Sequence, residues 1–394
     1  MIKLKEAAYY VSDKIDVSKL TRNQYITTDN MLPNKGGVTD CENLPQAARV
    51  TKYECGDILV SNIRPYFKKI WYANKVGGCS NDVTVFRANN DSWNSKFLYY
   101  VLSQNSFFDF VMSGANGTKM PRGNKDLILD FLVPNFNTKK QKSIADILSA
   151  YDDLIKNNQK QIKLLEEVAQ RLYKEWFVDF RFPGYENAKF IDGIPEGWRK
   201  AKLNDVLAKI TTGLNPRKNF VLGSGENYYV TIKNMKDNNI YLDDKCDRID
   251  DEALIKINKR SDLQKGDILF SGIGTMGRVY LIGIPTDNWN VSESVFTMRA
   301  NDNISKEMLY LLLLSPDMQG YCDTHAHGVA QRGIRMADIK NYQFYLPVSE
   351  IIENFTNNAK PFTKKIQILQ RQNILLTQAR DRLLPKLMSG EIEV

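Results

Sequence analysis

Apolar residues recur in alternating steps of three and four along two long segments of the chain, residues 144–176 and residues 355–387. This spacing places the apolar side chains on one helix face and is typical of a coiled-coil seam. Each seam contains one asparagine, Asn158 in the first and Asn373 in the second. The pattern therefore predicts two long helices that pack through these faces.

The two seams also predict a pairing. If the helices run antiparallel and Asn158 faces Asn373, the other seam positions fall opposite one another, and the two amides can hydrogen-bond to each other and fix the register. The predicted layers are Leu148 with Leu383, Tyr151 with Arg380, Ile155 with Leu376, Ile162 with Leu369 and Leu165 with Ile366. At 1.5 Å per residue the seam would be roughly 50 Å long. The alternative is two unrelated amphipathic helices, each packed on its own domain.

The segments between the helices repeat each other. Gly56-Asp-Ile-Leu-Val-Ser returns at Gly266 as Gly-Asp-Ile-Leu-Phe-Ser, and Arg87-Ala-Asn-Asn returns at Arg299 as Arg-Ala-Asn-Asp. A period of about 210 residues is too long for a solenoid and indicates two copies of one module. In each copy the pattern predicts short strands followed by one helix, over residues 97–111 and 308–318.

The predicted fold class is α/β (mixed α+β), with two similar domains separated by two long helices that form an antiparallel coiled coil. Pro183 and Pro195 fall in the stretch between the first long helix and the second domain. The predicted boundaries are 1–137 for the first domain, 138–182 for long helix 1, 183–348 for the second domain and 349–394 for long helix 2.

Composition favours a polyanionic partner and a reducing compartment. The 394 residues carry 54 Lys and Arg against 46 Asp and Glu, a net charge of +8, which attracts a phosphate backbone. The five cysteines form no CxxC pair, so we expect a cytoplasmic location. The longest apolar run, residues 308–314, is too short to span a membrane and the N-terminus has no apolar signal segment, so no membrane partner is expected.

Two motifs suggest chemistry that their context does not support. Gly272, Gly274 and Gly277 match the dinucleotide-binding pattern, but a strand-like segment follows where a helix is required, which favours a tight β-connection. Cys322, His325 and His327 have metal-ligand spacing, yet the first module has no ligand there, which favours a polar loop. The sequence therefore predicts neither a catalytic constellation nor a metal site.

Three sequence features together resemble the specificity subunits of type I restriction-modification systems. They are the Ile194-Pro-Glu-Gly-Trp opening of the second domain, the Gly-Asp-Ile-Leu strand of both modules, and the closing Arg380-Asp-Arg-Leu-Leu-Pro-Lys-Leu-Met-Ser-Gly-Glu-Ile. The resemblance covers essentially the whole chain, although the first domain lacks the Pro-Glu-Gly-Trp opening.

This resemblance implies a non-catalytic reader of double-stranded DNA. Each domain would be a target-recognition domain for one half of a bipartite, asymmetric site, and the helices would dock two methyltransferase subunits and further restriction subunits. S-adenosylmethionine, ATP and magnesium would belong to those partners and no cofactor to this chain. The alternative is an autonomous DNA-modifying or DNA-cleaving enzyme with duplicated DNA-reading domains.

The candidate DNA contacts are polar residues in the loop after each module's helix and in the hairpin after each Gly-Asp-Ile-Leu strand. Arg suits guanine and Asn or Gln suits adenine, whereas lysines such as Lys68, Lys69 and Lys218 suit phosphates. The loop candidates are Asn116, Thr118, Lys119, Arg122, Gln331, Arg332 and Arg335, and the hairpin candidates are Asn62, Arg64, Lys68, Lys69, Thr275 and Arg278.

Overall fold

The computed structural model describes residues 1–89, 92–117, 119–243, 245–328 and 332–394. They form two compact units. Unit 1 contains Met1–Lys156 and Asn373–Val394, and unit 2 contains Asn157–Gln372. Each unit therefore holds one globular module with one part of each long helix.

Unit 1 contains two four-stranded sheets, and the first part of the first long helix packs in its core. Its elements in chain order are β1 Ile2–Lys3, α1 Leu4–Ala7, β2 Ala8–Tyr10, β3 Lys14–Asp16, β4 Tyr25–Ile26, β5 Arg49–Tyr53, β6 Ile58–Ser61, β7 Ile70–Tyr72, β8 Gly77–Cys79, β9 Val83–Ala88, α2 Ser95–Leu102, α3 Asn105–Ser113, α4 Lys125–Ile128, β10 Leu132–Val133 and α5 Thr138–Phe177. Strands β2-β9-β6-β7 form an antiparallel sheet, β3-β5-β8-β4 form a second sheet in which β4 and β8 are parallel, and β1 pairs with β10.

Unit 2 repeats this plan with two additional hairpins, β11-β12 and β16-β17, and one additional helix, α6. Its elements are β11 Phe190–Ile191, β12 Ile194–Pro195, β13 Arg199–Lys202, β14 Leu207–Thr212, β15 Asn227–Val230, β16 Met235–Lys236, β17 Asn239–Ile240, β18 Asp247–Ile249, α6 Asp251–Ser261, β19 Ile268–Ser271, β20 Val279–Leu281, β21 Trp289–Val291, β22 Val295–Ala300, α7 Lys306–Leu314, α8 Pro316–Thr324, α9 Met336–Lys340, β23 Gln343–Leu346 and α10 Ser349–Ser389. Its antiparallel sheet β14-β22-β19-β20 matches β2-β9-β6-β7, and β18-β15-β21 again contains one parallel pair, β15 with β21.

The prediction of one helix over residues 97–111 and over residues 308–318 is wrong, because two helices cover each of these ranges. In unit 2 the break falls at Ser315, whose side-chain oxygen accepts a hydrogen bond from the Met318 N–H at 3.3 Å, while Pro316 starts the next helix. Serine is a favoured helix cap and proline a favoured first residue. In unit 1 the break falls between α2 and α3 at Ser103 and Gln104.

The repeated Asp and Arg form the same buried ion pair in both modules. Arg87 donates to both carboxylate oxygens of Asp57 at 2.7 and 2.8 Å, and Arg299 donates to both oxygens of Asp267 at 2.7 and 2.9 Å. These bidentate bonds raise the pKa of both guanidinium groups above their usual range. The pair joins the start of β6 or β19 to the neighbouring strand, β9 or β22, so the repeated sequence has a structural cause.

The long helices pack antiparallel within each unit, as predicted. In unit 1, Leu148 of α5 shares a core with Leu384 and Leu387 near the end of α10. In unit 2, Trp176 near the end of α5 lies with its ring centroid 5.6 Å from that of Phe355 near the start of α10. Partners near the end of one helix therefore come from the start of the other.

The predicted seam residues are buried or half-buried. Leu148, Asn158, Ile366 and Leu369 are buried, and the half-buried members are Tyr151, Ile155, Ile162, Leu165, Asn373, Leu376, Arg380 and Leu383. Arg380 bonds to Asp152 at 2.6 Å, one residue beyond its predicted partner Tyr151. The pairing of Asn158 with Asn373 stays a prediction.

No helix in the described part of the chain is long and apolar enough to cross a membrane.

Candidate nucleic-acid interface

In unit 1 the two predicted DNA-contacting segments are joined through their backbones. The hairpin between β6 and β7 meets the loop between α3 and α4, where the Arg64 N–H donates to the Pro121 carbonyl at 2.8 Å and the Gly123 N–H donates to the Asn62 carbonyl at 3.1 Å. We call this contact the hairpin–loop joint. It brings candidates about 60 residues apart in sequence onto one surface, because backbone pairing fixes the two segments side by side.

Unit 2 has the same hairpin–loop joint. The Gly274 N–H donates to the Arg332 carbonyl at 2.7 Å, and the Ile334 N–H donates to the Gly272 carbonyl at 2.8 Å. The common joint shows that both modules present a hairpin and a loop from the same position of the fold.

The base of each loop is also closed in the same way. In unit 1 Asn116 and Arg122 exchange two backbone hydrogen bonds of 2.9 Å, and in unit 2 His327 and Gly333 exchange bonds of 2.8 and 2.9 Å. Each pair closes the base of its loop. The loop tips include Thr118 in unit 1 and Gln331 in unit 2, two candidates that lie outside the described residues.

Four candidates of unit 1 use their side chains to hold the hairpin and loop in place. Such contacts order the surface, and a side chain engaged in this way must exchange its partner before it can bind a base. The contacts are Asn62 to the Gly123 carbonyl at 3.1 Å, Lys68 to Asn105 at 2.8 Å, Lys69 to the Thr28 carbonyl, and Arg122 to Asp82 at 3.0 Å.

Three other candidates of unit 1, Arg64, Asn116 and Lys119, are exposed. Within the described ranges their side chains form no hydrogen bond or ion pair. Arg64 also has a left-handed backbone with φ of 48°, a conformation that costs a non-glycine residue on the order of 1 kcal/mol. This set offers one guanidinium, one amide and one ammonium group, which suit base edges and phosphates.

The unit 2 candidates divide in the same way. Arg278 is half-buried and donates to the Ile232 carbonyl at 3.0 Å and to the Met235 carbonyl, and Arg332 is exposed and donates to the Asp323 carbonyl at 2.7 Å. The remaining described candidates are exposed: Thr275 in the hairpin, Arg335 just before α9, and Lys218 in a separate 3-10 turn, Pro216–Lys218.

The structure explains the glycine motif as a β-connection. Strands β19 and β20 on either side of Gly272, Gly274 and Gly277 pair antiparallel, so a strand and not a helix follows this turn, and the prediction of a tight connection is confirmed. A Cβ on Gly277 would lie within 2 Å of the Gln319 side chain and one on Gly272 within 3 Å of the Phe296 ring. These glycines therefore allow close packing.

Cys322 near the end of α8 and the two histidines that follow the helix have separate roles. Cys322 is buried, which raises the pKa of its thiol to about 12. The His325 ring stacks on Tyr321 with centroids 3.9 Å apart, and His327 lies 3.0 Å from an Asp338 carboxylate oxygen. In the described part of the chain, no three His, Cys, Asp or Glu side chains are grouped to hold a metal ion.

Two aromatic residues of the unit 1 hairpin were not among the candidates. Tyr66 and Phe67 lie at its tip, in a 3-10 turn between Arg64 and Lys68, and both are exposed. The alternation of basic and aromatic residues in Arg64-Pro-Tyr-Phe-Lys-Lys could have indicated them.

Comparison with known proteins identifies the family. The chain matches the family described as the type I restriction modification DNA specificity domain over residues 22–167 and again over residues 195–378. It is 25% identical to the type I restriction enzyme HindI specificity subunit of Haemophilus influenzae, over 97% of both chains. It is also 25% identical to the MjaIX specificity subunit of Methanocaldococcus jannaschii, over 76% of this chain and 69% of that one.

A solved structure has the same fold. The S subunit of a type I restriction-modification system from M. genitalium matches with a TM-score of 0.57 and 14% identity, over 98% of this chain and 95% of that one. Two copies of the family's domain, one in each unit, match the internal repeat and the repeated hairpin–loop joint. The chain therefore belongs to the family of type I restriction-modification specificity subunits.

Proposed function

We propose that each unit reads one half of a bipartite, asymmetric DNA site through its hairpin and loop. The observation that carries this proposal is the hairpin–loop joint, which occurs in both modules but presents different side chains in each. Unit 1 presents Arg64, Asn116 and Lys119, whereas unit 2 presents Thr275 and Arg332, the latter bonded through its side chain to the Asp323 carbonyl. Two similar frames with different side chains suit two half-sites of different sequence.

The chain has no catalytic role of its own in this proposal. The paired helices α5 and α10 dock two methyltransferase subunits, and restriction subunits join that core. S-adenosylmethionine, ATP and magnesium belong to those partners. The five free thiols support a reducing cytoplasm as the place of action. The alternative, an autonomous enzyme, has no support among the relatives named above, all of which are specificity subunits.

The proposal is tested by removing one exposed arginine from each joint, Arg64→Ala in unit 1 and Arg332→Ala in unit 2. The assay measures the affinity of the full chain, assembled with its methyltransferase subunits, for duplexes in which each half-site is altered in turn. A bidentate arginine–guanine contact contributes about 1–3 kcal/mol of discrimination. We expect each variant to lose about tenfold in discrimination at its own half-site. Equal losses at both halves from Arg332→Ala would contradict the assignment of one half-site to each unit.

A further inference from the structure

The unit 1 hairpin ends in an exposed aromatic pair. Tyr66 and Phe67 are 46% and 39% exposed, and their ring centroids lie 4.7 Å apart. Pro65, the first residue of the same turn, is buried and anchors it to the module. Adjacent exposed rings lose the benefit of burial, so the pair points to contact with another molecule.

The backbone holds this aromatic pair in a fixed position. The Phe67 N–H donates to the Arg64 carbonyl at 3.0 Å, and the Lys68 N–H donates to the Pro65 carbonyl at 2.8 Å. The Phe67 carbonyl in turn accepts a hydrogen bond of 2.7 Å from the Asn34 N–H. The rings are therefore ordered before any partner binds, which lowers the entropic cost of binding.

The charges beside the rings favour a nucleic acid over an apolar protein surface. Arg64 is exposed on one side of the pair, and the Lys69 ammonium lies 5.8 Å from the Phe67 ring centroid on the other. Asp82, whose backbone carbonyl accepts a hydrogen bond from the Asn62 N–H of the hairpin at 2.8 Å, is paired through its carboxylate with Arg122 at 3.0 Å. Aromatic rings between cations are the usual means of binding bases by stacking while the cations bind phosphates.

The corresponding hairpin of unit 2, residues 272–278, is described throughout and contains no aromatic residue. This hairpin between Ser271 and Val279 is one residue shorter than the one between Ser61 and Ile70. Met276 stands where Tyr66 stands in unit 1, and its side chain packs against the core of unit 2. The aromatic pair is therefore a property of one module only.

We propose that the Tyr66 ring inserts partly at a base step of the half-site read by unit 1 and stacks on a base, while Arg64 binds a flanking phosphate and Lys69 binds another after exchanging its bond to the Thr28 carbonyl. This inference rests on the proposed function. It means that the two half-sites are read differently: unit 1 also selects a base step that opens easily, whereas unit 2 uses polar contacts alone.

The test uses the full chain assembled with its methyltransferase subunits and duplexes carrying 2-aminopurine at successive positions of the unit 1 half-site. Fluorescence of 2-aminopurine rises when the base loses its stacking neighbour. The variants are Tyr66→Ser, which removes the ring, and Tyr66→Phe, which keeps it. Tyr9→Ser is the matched control, because Tyr9 is 45% exposed on β2, at the opposite edge of the sheet that carries the hairpin.

We expect a fluorescence increase at one step with the native chain, Tyr66→Phe and Tyr9→Ser, and its loss with Tyr66→Ser. Affinity should fall about tenfold in Tyr66→Ser, as is typical when one aromatic–base stacking contact is removed. Equal fluorescence and affinity in Tyr66→Ser and the native chain would overturn the inference and leave the proposed function intact. Loss of methyltransferase subunits from Tyr66→Ser on gel filtration would overturn it in favour of a protein contact. Failure of the native complex to bind any split site would instead refute the proposed function.

Discussion

Removing the charge of Asp267 should loosen the unit 2 module and leave unit 1 unchanged. The side chain of Asp267 is 2% exposed, and its two oxygens accept bonds from Arg299 and from the Gln264 N–H at 2.9 Å. In Asp267→Asn one oxygen remains for the Gln264 N–H. Arg299 loses one of its two carboxylate partners and its bidentate geometry, so a mostly buried cation is left incompletely paired.

The expected cost follows from the surroundings of Arg299. Removing one partner of a fully buried ion pair costs about 3–5 kcal/mol. The Arg299 side chain is 26% exposed and also lies 3.1 Å from Asp262, a second carboxylate. Both features reduce the loss, so we expect the free energy of unfolding of unit 2 to fall by about 2–3 kcal/mol.

Hydrogen exchange measured by mass spectrometry locates this loss. A decrease of about 2 kcal/mol raises the open population about 30-fold, so amides of β19 and β22 should exchange correspondingly faster. Asp57→Asn should do the same to β6 and β9 in unit 1. The matched control is Asp302→Asn, the same substitution at an exposed site. Unchanged exchange in Asp267→Asn, or equal acceleration of β6 and β19, would refute the reasoning.

Three further predictions concern single side chains. Lys119→Ala should weaken binding to every DNA sequence and lower the slope of log affinity against log salt by about one; a loss confined to one sequence would argue against a phosphate contact. Iodoacetamide should modify the exposed Cys55 of the native chain and spare the four buried cysteines, including Cys79, whose pKa burial raises to about 12; peptide mapping that finds Cys79 modified before unfolding would contradict the fold. Burial also raises the pKa of Glu166 above its usual value of 4.5, so folding favours the protonated carboxyl group. The contribution of this group to stability is therefore present at low pH and is lost as the pH rises through the pKa that Glu166 has in the folded protein. Glu166→Gln should therefore resist urea better than the native chain at pH 7.5, and this advantage should disappear as the pH falls below 4.5. A variant no more stable than the native chain at pH 7.5 would contradict the burial of the Glu166 carboxylate.

The repeat and the paired helices could be predicted because their signals are periodic in sequence. The alternation of steps of three and four depends only on helix geometry, and α5 Thr138–Phe177 and α10 Ser349–Ser389 contain both predicted seams. The sequence pattern does not show that two helices follow one another at Ser103 and Ser315, because the apolar pattern continues across both serines. Only the local hydrogen bonds show where the first helix ends.

The candidate site was predictable as a region but not side chain by side chain. The chemistry of the turn and loop residues around Asn62 and Arg122 predicts DNA contacts in both segments, and the structure brings the two segments together. The sequence could not show that Asn62 bonds to Gly123 or that Arg278 bonds to Ile232, since these partners lie about 40–60 residues away and meet only in the folded module. It likewise could not show that Tyr100 donates to Asp152 at 2.6 Å, beside Arg380.

Mapping of methylated adenines tests the central claim most directly. The chain is co-expressed with the methyltransferase subunit from its own locus, and modified adenines are sequenced across the genome. Two different readers joined by a fixed pair of helices should give one split motif with unlike halves and a constant gap. A continuous palindromic motif, or no modification by a correctly assembled complex, would contradict the account.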